Sequence, residues 1–209
     1  MYTPASFVEN DLTILHSCIE ENSFATLVTT NSGGPAVSHL PLLLDRDASP
    51  NGTLIEHMAK ANSQWREITD SDALAIFHGP HAYISPGWFK EQNVVPTWNY
   101  VAVHATGKVK LVEEPSAILG IVRRYVEAYE ASMPEPWQLH SAEPNFIESL
   151  LNAIVGFTIE IESLEGKWKL NQNHSEERRQ QVVDGLKTRP GDGSANVATL
   201  MQATLSVGH

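Results

Sequence analysis

The chain has 209 residues, 42% of them hydrophobic, with 12 prolines and 13 glycines, which suits one large core or two small ones and not a low-complexity segment. It carries 14 Lys and Arg against 25 Asp and Glu, a formal charge of -11, and this disfavours generic binding to a nucleic-acid polyanion. No apolar run approaches the roughly 20 residues of a membrane span, no basic-then-apolar leader pattern opens the chain, and the one cysteine, Cys18, fits a reducing, cytoplasmic setting.

From Asn10 to about Glu21, Leu12, Leu15 and Ile19 recur at helical spacing, with Asn10 as N-cap and Cys18 among the packing positions. "FATLVTT" at 24–30 and "AVSHLPLLLD" at 36–45 are strand-like, and "NSGG" between them makes a hairpin. "TLIEHMA" predicts a third strand, "ALAIFHG" at 73–79 a fourth, and Val95 to Val112 one or two more around Gly107. Pro115 opens a helix with Ile118, Ile121, Val122, Tyr125, Val126 and Tyr129 on one face. "EPNFIESLLNAI" reads as a shorter helix. "VGFTIEIESL" follows as a strand that turns Phe157, Ile159 and Ile161 inward and Thr158, Glu160 and Glu162 outward. Ser175, Glu176 and Glu177 open a helix running to about Leu186.

Helix, sequential strands, helices, strand, helix is the order of an antiparallel α+β domain, because the early connections are too short for parallel crossovers. A partly closed barrel of about six strands with flanking helices removes exposed edges. We expect one domain over 1–187 and a tail over 188–209, mobile or docked on a partner subunit, since no clear period returns before Val197.

Signatures of dinucleotide folds, P-loop enzymes, serine hydrolases with a nucleophile elbow, and zincins are missing from the sequence. His78 and His81 in "HGPH" have no nearby Cys or carboxylate cluster, so no metal site is expected. His39 and His57 each interrupt an apolar strand, as core histidines bonded to a carbonyl or as ligand contacts. Pro41 cannot donate to a ladder, so its strand must be irregular or lie at an edge. Lys60, Asn62 and Ser63 follow a strand at a helix start, a local anion site in an acidic chain or a solvated loop. Tyr83, Ser85 and Trp88 lie on a proline-broken loop. In "EGKWKLNQNHSEE", Lys167 and Lys169 leave a strand, and the amides of Asn171, Gln172 and Asn173 read the edge of a heteroaromatic ring or simply form a loop. "VPTWNYVAVHATG" at 95–107 places Trp98, Asn99, Tyr100 and His104 where a plain core strand would use Val and Ile.

The blocks "FATLVTT", "GPAVSHLPLLLD", "LIEHMAKANSQW", "AIFHGPHAYISPGWF", "VPTWNYVAVHATGKV", "AIVGFTIEIESLEGKWKLNQN" and "RQQVVDGL" occur in this order, and over about Met1 to Leu186 the chain resembles the PaiB family of FMN-binding negative transcriptional regulators. The resemblance implies a split β-barrel of the flavin-reductase and pyridoxamine-phosphate-oxidase type, working as a homodimer with FMN between subunits. It places His39, Leu40, Pro41 and Leu42 near the isoalloxazine, and His57, Lys60 and Asn62 near the phosphate. Trp98, Asn99, Tyr100 and His104 would line or support the cleft, which Lys169, Gln172 and Asn173 would close. Family members look to carry arginine where Lys60 stands, so a bidentate phosphate clamp becomes a point charge.

The implied function is that of an FMN-binding regulator or flavin-based sensor. An FMN-dependent oxidoreductase using NAD(P)H is the alternative, and a haem-binding split barrel with His39, His57, His104 or His209 as ligand is the third. Direct DNA contact would need a restricted basic patch such as Arg123, Arg124, Arg178 and Arg179. Regulation through a protein partner is equally compatible, and no catalytic residue is assigned.

Overall fold

The computed structural model describes residues 1–31, 33–68, 71–189, 191 and 193–206. In chain order these form β1 (Val8–Glu9), α1 (Leu12–Glu21), β2 (Phe24–Asn31), β3 (Gly34–Pro41), β4 (Leu43–Asp45) and β5 (Thr53–Ala59). Then come β6 (Asp72–Ile84), β7 (Thr97–Val112), α2 (Pro115–Glu130), α3 (Pro144–Leu151), β8 (Ile154–Lys169), α4 (Glu176–Thr188) and α5 (Ser194–Ser206). The hydrogen-bonded strand order is β3, β2, β6, β7, β8, β5, β4, with β1 on β8. The fold is α+β on an antiparallel sheet, as the element order requires. β6 and β8 run beyond the expected 73–79 and 155–164, and the run from Val95 to Val112, expected to hold one or two strands, holds the single strand β7. The chain divides into two compact units.

The first unit comprises 1–21, 78–104 and 165–209. Its helix α1 is capped by Asp11, not Asn10: Asp11 Oδ1 accepts from Thr13 N at 2.8 Å and Ile14 N at 3.2 Å. Cys18 is buried on this helix, and β1 pairs with β8 in the register Val8↔Lys167. Its core is built from Ala82 and Ile84 of β6, Leu170, and the inner faces of α4 (Val182, Val183, Leu186) and α5 (Val197, Ala198, Met201). Gly185 lets α4 approach the Trp88 indole, since a Cβ there would overlap the ring. The segment read from sequence as a tail thus contains α5, an ordered helix whose apolar side buries Val197 and Met201.

The second unit comprises 22–77 and 105–164. The expected hairpin is β2 and β3, in register from Phe24↔Pro41 to Asn31↔Gly34. Among the described residues β3 pairs with β2 alone, so Pro41 ends an edge strand, the position its missing N–H requires. The single strand expected over 36–45 is therefore two, broken at the fully buried Leu42. In β8, Phe157, Ile159 and Ile161 are buried while Glu160 and Glu162 are exposed, as the alternation predicts. Gly107 is needed because a Cβ there would collide with the Glu160 carbonyl oxygen. Glu114 caps α2 through Ser116 N at 2.6 Å, and Ile118 and Ile121 are the buried residues of that helix. None of the described helices is long and apolar enough to cross a membrane.

Candidate functional site

The residues expected to form a site fall on both units. On the second unit, His39, Leu40, Pro41, Leu42, His57, Lys60 and Asn62 sit on or after β3 and β5. Beside Asn62 lies a residue that sequence reasoning passed over, the buried Gln64 in the short 3-10 turn Ser63–Glu67. Gln64 Nε2 donates to Thr29 Oγ1 at 2.9 Å and to Ala36 O at 3.2 Å, and its Oε1 accepts from Ser38 Oγ at 2.5 Å. Asn62 Nδ2 reaches the same Ser38 Oγ at 2.9 Å, and Asn62 Oδ1 caps Gln64 N at 3.0 Å. Lys60 is exposed; its Nζ donates to Asn152 O at 2.9 Å, and its carbonyl accepts from Trp65 Nε1 at 3.0 Å. The loop after β5 is thereby fixed with an unneutralised ammonium on its surface.

His39 is exposed on the edge strand, its Nδ1 3.2 Å from Thr26 Oγ1 and its ring stacked near Phe24 at 6.4 Å. His57 packs edge-on against Tyr125 of α2 at 5.9 Å. Its Nδ1 lies 2.8 Å from Glu56 Oε1 but is not aligned for a hydrogen bond, which Oε1 instead accepts from His57 N at 2.9 Å. Burial, and then the Glu56 charge, raise the Tyr125 phenol above its usual range. Leu42 is fully buried, so of the four residues from His39 to Leu42 it serves the core.

On the first unit, strand alternation divides "TWNY". Trp98 is 48% exposed and Tyr100 half-buried, whereas Asn99 is fully buried, its Nδ2 3.3 Å from Met201 Sδ on α5 and its Oδ1 without a partner. Asn99 is therefore a support beneath the aromatic pair. Trp98 stands 6.2 Å from the His81 ring and 6.1 Å from Tyr83, and Lys167 Nζ lies 5.2 Å from the centre of Tyr100. Trp98, Tyr100, His78, His81 and His104 line one cavity of about 450 Å³. Burial chiefly, with the N-terminal charge next, lowers the pKa of His104 from the ordinary histidine value and keeps its ring neutral.

Lys169 Nζ donates to Thr97 Oγ1 at 2.5 Å and to Trp98 O at 2.8 Å, which ties the aromatic strand end in place. Gln172 is a loop staple: Oε1 accepts from Leu170 N at 2.8 Å and Nε2 donates to Trp168 O at 2.6 Å. Asn173 lines a second, smaller cavity together with Lys169. Of the proposed haem ligands, His209 lies outside the described residues. Three of the four arginines are engaged locally: Arg124 with Asp45 at 2.9 Å, Arg178 with Glu91 at 2.6 Å, and Arg179 with the Thr204 hydroxyl.

On the first unit, the exposed Trp98 ring beside Tyr100 and His104 has the chemistry to stack on a planar heteroaromatic group; on the second, the Lys60 ammonium has the chemistry to hold an anion. The fold is that of split-barrel flavoproteins. It is similar to the structure of the flavocytochrome Anf3 from Azotobacter vinelandii, with a TM-score of 0.60 at 12% identity, covering 83% of this chain and 74% of that one. It is also similar to the FAD and Heme binding protein from Mycobacterium smegmatis, with a TM-score of 0.53 at 10% identity, over 83% and 78% of the two chains. The chain belongs to the family described as "Putative FMN-binding domain", whose model matches residues 1–163. It is 35% identical over 206 residues, 98% of each chain, to the "Protease synthase and sporulation protein PAI 2" of Bacillus subtilis (strain 168). The resemblance to PaiB carried by the motif blocks is thus borne out, and FMN is the family's cofactor.

Proposed function

We propose that the protein is a homodimeric FMN-binding sensor of the PaiB type, with FMN at the subunit interface and with transcriptional regulation exerted through a protein partner. The observation that carries it is the Trp98 and Tyr100 wall, a pair of large rings left exposed or half-buried along one cavity and braced by Lys169 and Lys167. Rings held open at the cost of burial suit stacking on a ligand or a partner copy. In this reading Trp98, Tyr100 and His104 meet the isoalloxazine, with Asn99, Gln172 and Lys169 holding that surface. On the second unit, taken by itself, Lys60 is the anion-binding group, positioned by the Asn62 cap and flanked by His57, with His39, Leu40 and Pro41 supplying edge-strand backbone; on the first, Asn173 lines the cavity beside Lys169. Bound FMN would supply electron-transfer chemistry. The engagement of Arg124, Arg178 and Arg179 with neighbouring side chains favours a protein partner over direct DNA contact.

Titration of the purified protein with FMN, followed by flavin fluorescence, tests the reading. Saturable quenching at micromolar or tighter affinity, weakened by Lys60→Ala and Trp98→Ala, supports it; absence of binding to a folded dimer overturns it. Steady NAD(P)H oxidation with added FMN would move the assignment to an oxidoreductase. Haem binding is favoured by one observation, the neutral His104 ring on a cavity wall, and a Soret band lost in His104→Ala would establish it.

A further inference from the structure

The second cavity of the first unit has a volume of about 310 Å³ and differs in character from the aromatic one. Its wall includes Lys169, Arg178 and His174 but not one Asp or Glu among the described residues, in a chain with 25 acidic residues against 14 basic ones. Arg178 is already neutralised by Glu91, through Nε at 3.0 Å and Nη2 at 2.6 Å. Lys169 meets only the neutral oxygens of Thr97 and Trp98. An ammonium offers three donors, so one remains after these two bonds and its charge has no counter-ion. His174 Nδ1 lies 3.2 Å from Arg178 Nη1; as acceptor there it carries its proton on Nε2, a second neutral donor. Burial and the Arg178 charge lower the His174 pKa and keep that ring uncharged.

Backbone strain points to the same place. Among the described residues, Asn93 (φ 64°) and Asn171 (φ 62°) are the non-glycine positions with positive φ, and both line this cavity. Left-handed backbone at such residues gathers at ligand sites and needs surrounding structure to hold it. Phe7, Phe89, Val94 and Val95, the last 76% exposed, supply the apolar part of the wall.

We propose that this cavity binds a small amphipathic anion, an apolar body with one carboxylate or phosphate head, the head on Lys169 and the body on Phe89 and Val95. The site goes beyond the flavin reading and does not rest on it: the rings assigned to flavin line the other cavity, although Lys169 and Asn173 figure in both readings, so Lys169→Met is read for FMN as well and Val95→Asp separates the two. An anion there would give a flavin sensor a second input.

Calorimetric titration of the full chain with benzoate, phenyl phosphate and benzylamine tests the site, with FMN affinity read on the same preparations. The expected result is saturable binding of benzoate or phenyl phosphate, weakened roughly tenfold to a hundredfold in Lys169→Met, the range for a charge-assisted hydrogen bond. Val95→Asp, which sets a carboxylate at an exposed wall position outside the flavin set, should weaken it comparably while FMN affinity is kept. The ratio of the two anions identifies the head group. The inference is overturned if neither anion binds below about 10 mM, if both variants bind as tightly as the wild type, or if benzylamine binds as well as benzoate. Loss of FMN binding with anion binding retained would sink the flavin reading alone.

Discussion

The two units handle polarity in opposite ways. In the second, the polar side chains near β3 and β5 close on one another: Thr29, Ser38, Asn62 and Gln64 leave little capacity for a ligand beyond the Lys60 ammonium. In the first, Trp98 stands exposed and Lys169 is bonded only to neutral oxygens, on top of a core sealed by α4 and α5. A closed polar net buys rigidity, whereas open rings and unneutralised charge hold interaction energy in reserve for a ligand. The second unit should therefore fail by unfolding when its net is cut, and the first by losing affinity when its wall is trimmed.

The largest effects test the frame of each unit. Gly107→Ala drives a methyl into the Glu160 carbonyl, and Gly185→Ala does the same to the Trp88 ring; each should cost about 3 kcal/mol or more, read by denaturant unfolding. Gln64→Leu removes three hydrogen bonds from a buried amide and strands the Thr29 hydroxyl, a loss of about 2 to 4 kcal/mol. Trp98→Ala should leave stability almost unchanged, because the ring is 48% exposed. It should weaken FMN about tenfold to a hundredfold, the worth of an aromatic stack. If Trp98→Ala unfolds the protein while Gln64→Leu spares it, the contrast between the units is inverted. Lys60→Ala should weaken FMN by about fivefold and more at low salt, since an exposed ammonium is partly screened.

The smallest expected effect is on pH. His104 and His174 have folded pKa values below the ordinary 6.5, so the native state binds fewer protons than the unfolded one. Their contribution to stability is present above about pH 6.5 and is lost as pH falls through the folded values. Unfolding midpoints measured from pH 7.5 to 5 should fall accordingly, and His104→Gln should flatten the slope.

Local alternation and turn chemistry were legible wherever one residue had one environment. The Phe157, Ile159, Ile161 face of β8, the edge position of Pro41 and the α2 start at Pro115 all follow from periods and caps readable in a few residues. The motif series carried the family and with it the cofactor. The helix α5 was not legible, because its apolar positions Val197 and Met201 become a face only against α4. Nor was the role of Gln64, whose partners Thr29, Ala36 and Ser38 lie 35, 28 and 26 residues away.

Within "TWNY" the division is plain. Composition alone marked four unusual residues in a strand, and pleating alone says that Trp98 and Tyr100 share a face opposite Asn99. Which face meets solvent depends on where α5 packs, and Met201 against Asn99 decides it. Likewise the sequence shows Lys169 and Arg178 as scattered cations beside loop amides. Only the folded chain withdraws one of those charges onto Glu91 and leaves another without a counter-ion, because pairing depends on distances across turns that no local pattern encodes.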